Sequence, residues 1–298
     1  MSSALAMRRR AFAALALLSL IWGYNWVVMK EVLHYTDPFD FTAVRTLLGA
    51  ASLFAVMLIR GTDMRPVAIR DTILLGLVQT ATFTALIQTA LVTGGAGKTA
   101  VLVYAMPFWL LPLAWLLLGE RIRGLQWPAI VLAAAGLILI VEPWAFHGSS
   151  AGTALALAGG IAWAASAVMV KRLRARHNVE LLPLTAWQML FGAIALTIVA
   201  LLHPSEATRF TPYYFGALAF NALLGTGLAW LLWLYILQHL PAGLAGLSTL
   251  IVPGVGVMAA WIQLGERPSL TEAAGMGLIG GALALLSLQN LGRGRSPR

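Results

Sequence analysis

Eight side chains stand out as groups able to hold a small molecule: Trp22, Asn25, Gln79, Phe83, Tyr104, Met106, Trp109 and Trp163. Gln79 and Phe83 are four residues apart and Trp22 and Asn25 three apart, so each pair shares one face of a helix. Tyr104 and Met106 stand in the turn before Pro107, with Trp109 just beyond it. Aromatic faces beside an amide or a hydroxyl recognise a ligand by ring contact and hydrogen bonding, without making or breaking bonds. The plainer use of such groups is packing between helices or an interfacial belt, and Trp127, Trp144 and Trp261, near the ends of apolar runs, read that way. Pro107 and Pro253 are the matching backbone feature. Each frees a carbonyl one turn upstream, which makes them candidate helix-break or gating positions.

Groups for covalent or acid–base chemistry are missing from the apolar interior. All eleven acids, from Glu31 to Glu272, lie in connections or within about a turn of a span end, and so do the five histidines. There is no cysteine, so disulfides, thiolate metal sites and cysteine nucleophiles are excluded. No carboxylate pair, metal cluster or nucleophile–base pair is visible at depth, so no enzyme, no metal and no cofactor is expected. Gly97-Lys98-Thr99 lacks the upstream glycine and strand of a phosphate-binding loop. The remaining mid-span polar groups, among them Gln88, Ser166, Gln188 and Asn221, are expected to bond between helices. Arg45 can anchor a substrate carboxylate, but its stem can also snorkel outward or pair with Glu31 or Asp37, and that structural use is favoured. Lys98 reads as an exposed loop charge.

The elements that must position these groups follow from composition. Of 298 residues, 60% are apolar and only 10% charged, with a mean hydropathy of +0.83. A soluble domain carries about 25% charged residues, so this chain cannot coat a water-facing globule. The basic residues are short clusters between apolar runs, which makes the high pI a topogenic signal, with no nucleic-acid partner expected. Arg8-Arg9-Arg10 and the run after it resemble the start of a signal peptide, but the run continues to Met29 without a small-residue cleavage site and reads as a first span.

Punctuation by charge, proline and glycine predicts ten spans, near 12–29, 40–59, 72–92, 98–118, 125–141, 151–170, 183–202, 213–236, 242–263 and 271–290. With the N-terminus inside, fifteen basic residues face the cytoplasm, against four (Lys30, Lys98, Arg209 and Arg267) on the other side. Ala114 to Arg121 matches Ala260 to Arg267, both ending Gly-Glu-Arg, and each Gly-Glu-Arg follows its proline at the same spacing. Trp22, Val27 and Lys30 echo in Trp163, Val168 and Lys171. The chain thus reads as two five-helix halves, 1–146 and 147–298. Five is odd, so the second half enters the membrane inverted, and inverted repeats are the architecture of secondary transporters that alternate access around a central cavity. Gly277 and Gly281 suggest a close helix contact in the tenth span, with packing inside the chain as the readier use.

These features together resemble the EamA family of the drug/metabolite transporter superfamily over essentially the whole chain. Leu20 to Trp26 and Tyr104-Ala105-Met106-Pro107 look most like its YddG-type aromatic amino-acid exporters. The resemblance implies an all-α, bacterial inner-membrane exporter of amino acids, with a cavity built mainly by spans 1, 3, 4, 6, 8 and 9. The eight side chains above would contact substrate. The expected partners are amino-acid substrates and the lipid bilayer, and one copy of the chain can suffice. Without a midplane carboxylate, a facilitator is expected. The rival within transport is an exporter of drugs or other hydrophobic metabolites, with proton coupling as a variant. A channel fits the inverted repeat poorly.

Reporter fusions should place both termini in the cytoplasm and the connections near His34 and Glu206 outside. Termini on opposite faces would overturn the charge-derived topology.

Overall fold

The computed structural model describes residues 2–119, 121–122, 124–141, 150–177, 179–203, 205–239 and 248–293. Every regular element among them is helical, as hydrocarbon demands of a chain whose backbone must satisfy its own amides. In chain order they are α1 (Ser2–Glu31), α2 (Pro38–Arg60), α3 (Ile69–Thr93), α4 (Ala96–Leu118), α5 (Gln126–Val141), α6 (Ser150–Arg176) and α7 (Leu181–Leu202). Then come α8, built from Pro212–Ala219, Phe220–Leu228 and Ala229–His239, α9 (Ser248–Leu264) and α10 (Leu270–Arg293). Seven helices among the described residues are long and apolar enough to cross a membrane; α5, α9 and α10 contribute shorter apolar stretches. This is a multi-pass membrane protein. The boundary expected at residue 146 and the Glu120 of the first Gly-Glu-Arg lie outside the described residues.

Helix ends follow local chemistry. Asp37 caps α2, its carboxylate accepting from the Phe39 amide at 2.8 Å, and Pro38 occupies the first turn. Gly61, Gly119 and Gly265 end α2, α4 and α9 in the left-handed region, where a side chain would be strained.

Three stretches depart from regular α geometry. Gly76–Thr82 in α3 and Phe220–Leu228 in α8 are π-helical. α4 is interrupted by a turn at Ala105, between Ala96–Tyr104 and Met106–Leu118, where Pro107 brings no amide hydrogen. Pro253, expected to break its own span, sits inside a continuous α9. Its missing hydrogen bond is absorbed without a break.

Helix packing comes in matched pairs: α1 lies on α9 and α6 on α4, α3 packs on α6 and α8 on α1, and α7 meets the π segment of α3 as α2 meets that of α8. Glycines set the closest approaches. A Cβ on Gly49 would fall 2.5 Å from Thr226 Cγ2, and one on Gly192 would fall 2.3 Å from Thr80 Cβ. α5 and α10 run antiparallel and equally tight: Gly136 seats against Gly275 and Ile279, and Gly275 against Gly136 and Ile140. Gly275 therefore makes the close contact of α10. The contact expected at Gly277 and Gly281 is not made among the described residues, where a Cβ at either would meet nothing within 4 Å.

Gly192→Val should overpack the α7–α3 seam and cost about 1–3 kcal/mol. Thermal unfolding in detergent should show a lower midpoint for this variant, while Gly216→Ala, facing open space, leaves it unchanged.

Candidate functional site

The irregular stretches border an internal cavity of about 160 Å³. α1 contributes Trp22, Asn25, Trp26 and Met29; α3 contributes Gln79, Thr80, Phe83, Thr84 and Ile87. Val103 and Tyr104 come from α4 just before its break, Trp163 from α6, and Gly225, Thr226 and Trp230 from α8. α2 adds Arg45 and Thr46, and α7 adds Gln188 and Met189. Of the cavity helices implied by the resemblance, α9 adds no lining residue among those described, and α2 and α7 take part.

One wall is aromatic. Tyr104 and Trp163 meet edge to face with ring centroids 5.4 Å apart; Phe83 lies 5.6 Å from Trp163, and Trp26 6.3 Å from Tyr104. Edge-to-face contact sets the positive rim of one ring on the negative face of the next, which holds the wall in shape. Trp22 forms a second cluster, 6.0 Å from Trp230 and 6.2 Å from Trp233, and donates its indole N–H to the Gly225 carbonyl at 3.0 Å. That carbonyl belongs to the π segment of α8. Widened turns leave carbonyls without a helical partner, and an indole can satisfy one of them.

The polar wall pairs across the two halves. Thr80 donates to Gln188 Oε1 at 3.0 Å. Asn25 Oδ1 is buried and has no hydrogen-bond partner. Arg45 is only 8% exposed, and no carboxylate pairs with it among the described residues. The expected pairing of Arg45 with Glu31 or Asp37 is therefore not made; its place on α2 turns it to the cavity.

Six of the eight side chains singled out from sequence, Trp22, Asn25, Gln79, Phe83, Tyr104 and Trp163, line the cavity. Met106 and Trp109 do not: two and five residues on from Tyr104, at about 100° per residue, they fall on other faces of α4. Pro107 and Pro253 also lie outside the lining, Pro107 acting through the turn beside it. Sequence reasoning missed Thr80, Thr226 and the part of Gln188. The signal was present: Thr42, Ala43, Gly49, Ala50 and Leu53 of α2 recur in register as Thr185, Ala186, Gly192, Ala193 and Leu196 of α7. That register sets Arg45 against Gln188.

At one end of the bundle, charged residues close helix termini. Glu266, after α9, accepts from the Ala96 and Gly97 amides at 2.9 and 3.2 Å, where α4 begins. Lys30 donates to the Leu91 carbonyl at the end of α3. Lys98 pairs with Glu272 of α10 at 2.9 Å within the first turn of α4, so it is not the exposed loop charge expected.

The profile of the EamA-like transporter family matches residues 9–142 and again residues 150–288. The chain belongs to the EamA-like transporter family. It is 26% identical to the uncharacterized transporter YoaV of Bacillus subtilis over 88% of this chain and 91% of that one. It is 27% identical to the uncharacterized inner membrane transporter YedA of Escherichia coli K12 over 93% and 90%. A Salmonella typhimurium protein named as a probable amino-acid metabolite efflux pump is 28% identical over 91% and 92%. A solved crystal structure superposes with a TM-score of 0.66 at 20% identity, covering 97% of this chain and 99% of that one, which shows a shared fold. The cavity is thus the internal space of an EamA-like transporter.

For this transporter, Tyr104→Ala and Trp163→Ala should reach the membrane in normal amounts yet move labelled L-phenylalanine and L-tryptophan into liposomes several-fold more weakly. Loss of one well-placed aromatic contact is worth about 0.5–1.5 kcal/mol beyond area burial. Trp127→Ala, 59% exposed at the start of α5, is the control and should transport normally.

Proposed function

We propose that this transporter exports aromatic and other neutral amino acids, with related metabolites, across a bacterial inner membrane. It does so by alternating access, as a facilitator, using ten spans arranged as two inverted halves with both termini in the cytoplasm. The observation that carries the reading is the cavity: a cluster of touching aromatic rings faces amide and hydroxyl groups, and no carboxylate is among its described lining residues. Its volume is on the scale of an apolar cavity of roughly 150 Å³ known to accept benzene, which suits an aromatic side chain.

Two kinds of observation support the inverted halves. The family profile matches twice, and packing pairs between the halves correspond when the halves are exchanged: α1 on α9 with α6 on α4, and α3 on α6 with α8 on α1. α5 and α10, which hold the same place in their halves, run antiparallel, with Gly136 and Gly275 exchanging reciprocal contacts. Antiparallel contact between two helices that hold matching places is what a two-fold axis between them produces, and an axis in the membrane plane lets one half rock against the other. The amino-acid substrate class is supported by relatives of Salmonella typhimurium and Escherichia coli, both named as probable amino-acid metabolite efflux pumps. The inner-membrane setting is supported by the name of YedA.

A proton-driven pump commonly uses a buried acid to load and release its proton. With none lining the cavity, movement of labelled phenylalanine down its own gradient in liposomes should continue after an ionophore collapses the pH gradient. Arrest of that net flux would overturn the facilitator reading.

A further inference from the structure

We infer that Arg45 is the anion anchor of this transporter: it binds the carboxylate of the transported molecule and makes a carboxylate a requirement for good substrates. The inference rests on the cavity being the transport site and deepens that reading by assigning one pole of the substrate.

Arg45 stands about 10 Å along α2 from its Pro38 end, well within the span. It lines the cavity and is buried, and its Nε has no hydrogen-bond partner. A guanidinium stays charged in proteins, and a buried charge without a partner is costly. Intramembrane charges that persist face water-filled paths and mark the route of substrates or ions. Among the described residues the cavity lining carries no acid to neutralise it.

Its counterpart in the other half sharpens the case. Gln188 stands where the repeat places Arg45, fronts the same cavity and is already engaged by the Thr80 hydroxyl. The pseudo-symmetric position thus works as a neutral structural link, whereas Arg45 offers a planar fork of donors matched to a carboxylate. The buried Oδ1 of Asn25, also unpartnered, lines the same cavity and can accept from an ammonium group. Arg45, Asn25 and the Tyr104–Trp163–Phe83 wall therefore supply one partner each for the carboxylate, the ammonium and the ring of an aromatic amino acid.

The test uses the full-length protein in liposomes, reading inhibition of labelled L-phenylalanine transport and, separately, direct flux of indole-3-acetate, which has a carboxylate and a ring but no ammonium. In the wild type, phenylalanine should compete at least about tenfold better than phenylalaninamide, whose carboxylate is replaced by a neutral amide. Arg45→Gln should erase that preference by weakening phenylalanine about tenfold while leaving phenylalaninamide unchanged, and Arg45→Lys should fall between. Equal competition by the two compounds in the wild type overturns the inference without recourse to any variant, so misfolding of a variant cannot shield it. Unchanged phenylalanine affinity in a folded Arg45→Gln overturns it while leaving the amino-acid reading intact. If no amino acid is moved but indole-3-acetate is, dependent on Arg45, the anchor stands and the amino-acid reading falls. If neither phenylalanine nor indole-3-acetate is moved, both fall.

Discussion

In the interior of a bilayer an unpaired backbone amide or carbonyl costs several kcal/mol, and the rest of this structure is arranged around that penalty. It forces regular helices wherever lipid is near. It also restricts irregular backbone to places where something else can supply the missing partner. The turn at Ala105 and the π-helical stretches of α3 and α8 all border the cavity, through Tyr104, through Gln79 and Thr80, and through Gly225 and Thr226. Backbone irregularity and the cavity are one feature. The Trp22 indole bonded to the Gly225 carbonyl shows how such a group is satisfied from across the molecule.

Close approach is the second condition for a cavity bounded by several helices. Gly49 and Gly192 let α2 and α7 lie directly against the widened turns, each with a threonine in contact. A larger residue at either place would push the helix outward and move Arg45 or Gln188 away from the cavity. The same logic at Gly136 and Gly275 holds α5 against α10, remote from the cavity, where the contact joins the two matched segments of the chain. Without a hydrophobic drive between helices in lipid, such small-residue seams and the bonds across them hold a bundle together.

Charge is kept to the ends of helices, where it complements their dipoles. Glu266 meets the amide-rich start of α4, and Lys30 meets the carbonyl-rich end of α3. These contacts join α9 to α4 and α1 to α3 at one rim of the bundle. Arg45 is the exception among the described residues, a buried charge at depth.

The helical class, the apolar spans, the exile of acids to the periphery and the twofold character of the chain follow from the sequence alone. They depend on composition and on chain-local order, as in Trp22 and Trp163 or the paired Pro…Gly-Glu-Arg endings. Six cavity side chains were legible for the same reason, each being an aromatic or amide group at depth in an apolar run. Which face each helix presents was not. Met106 and Trp109 are as apolar and as central as Tyr104, yet their angular positions on α4 keep them off the lining. The echo of α2 in α7 is spaced differently from that of α1 in α6, because the connections between spans differ in length, so it becomes obvious only when Gly49 and Gly192 are seen in matching contacts. The orientation of Arg45 toward the cavity, and not toward Glu31 or Asp37, was settled by the rotation of α2 against α8, a quantity that close packing determines and linear order does not.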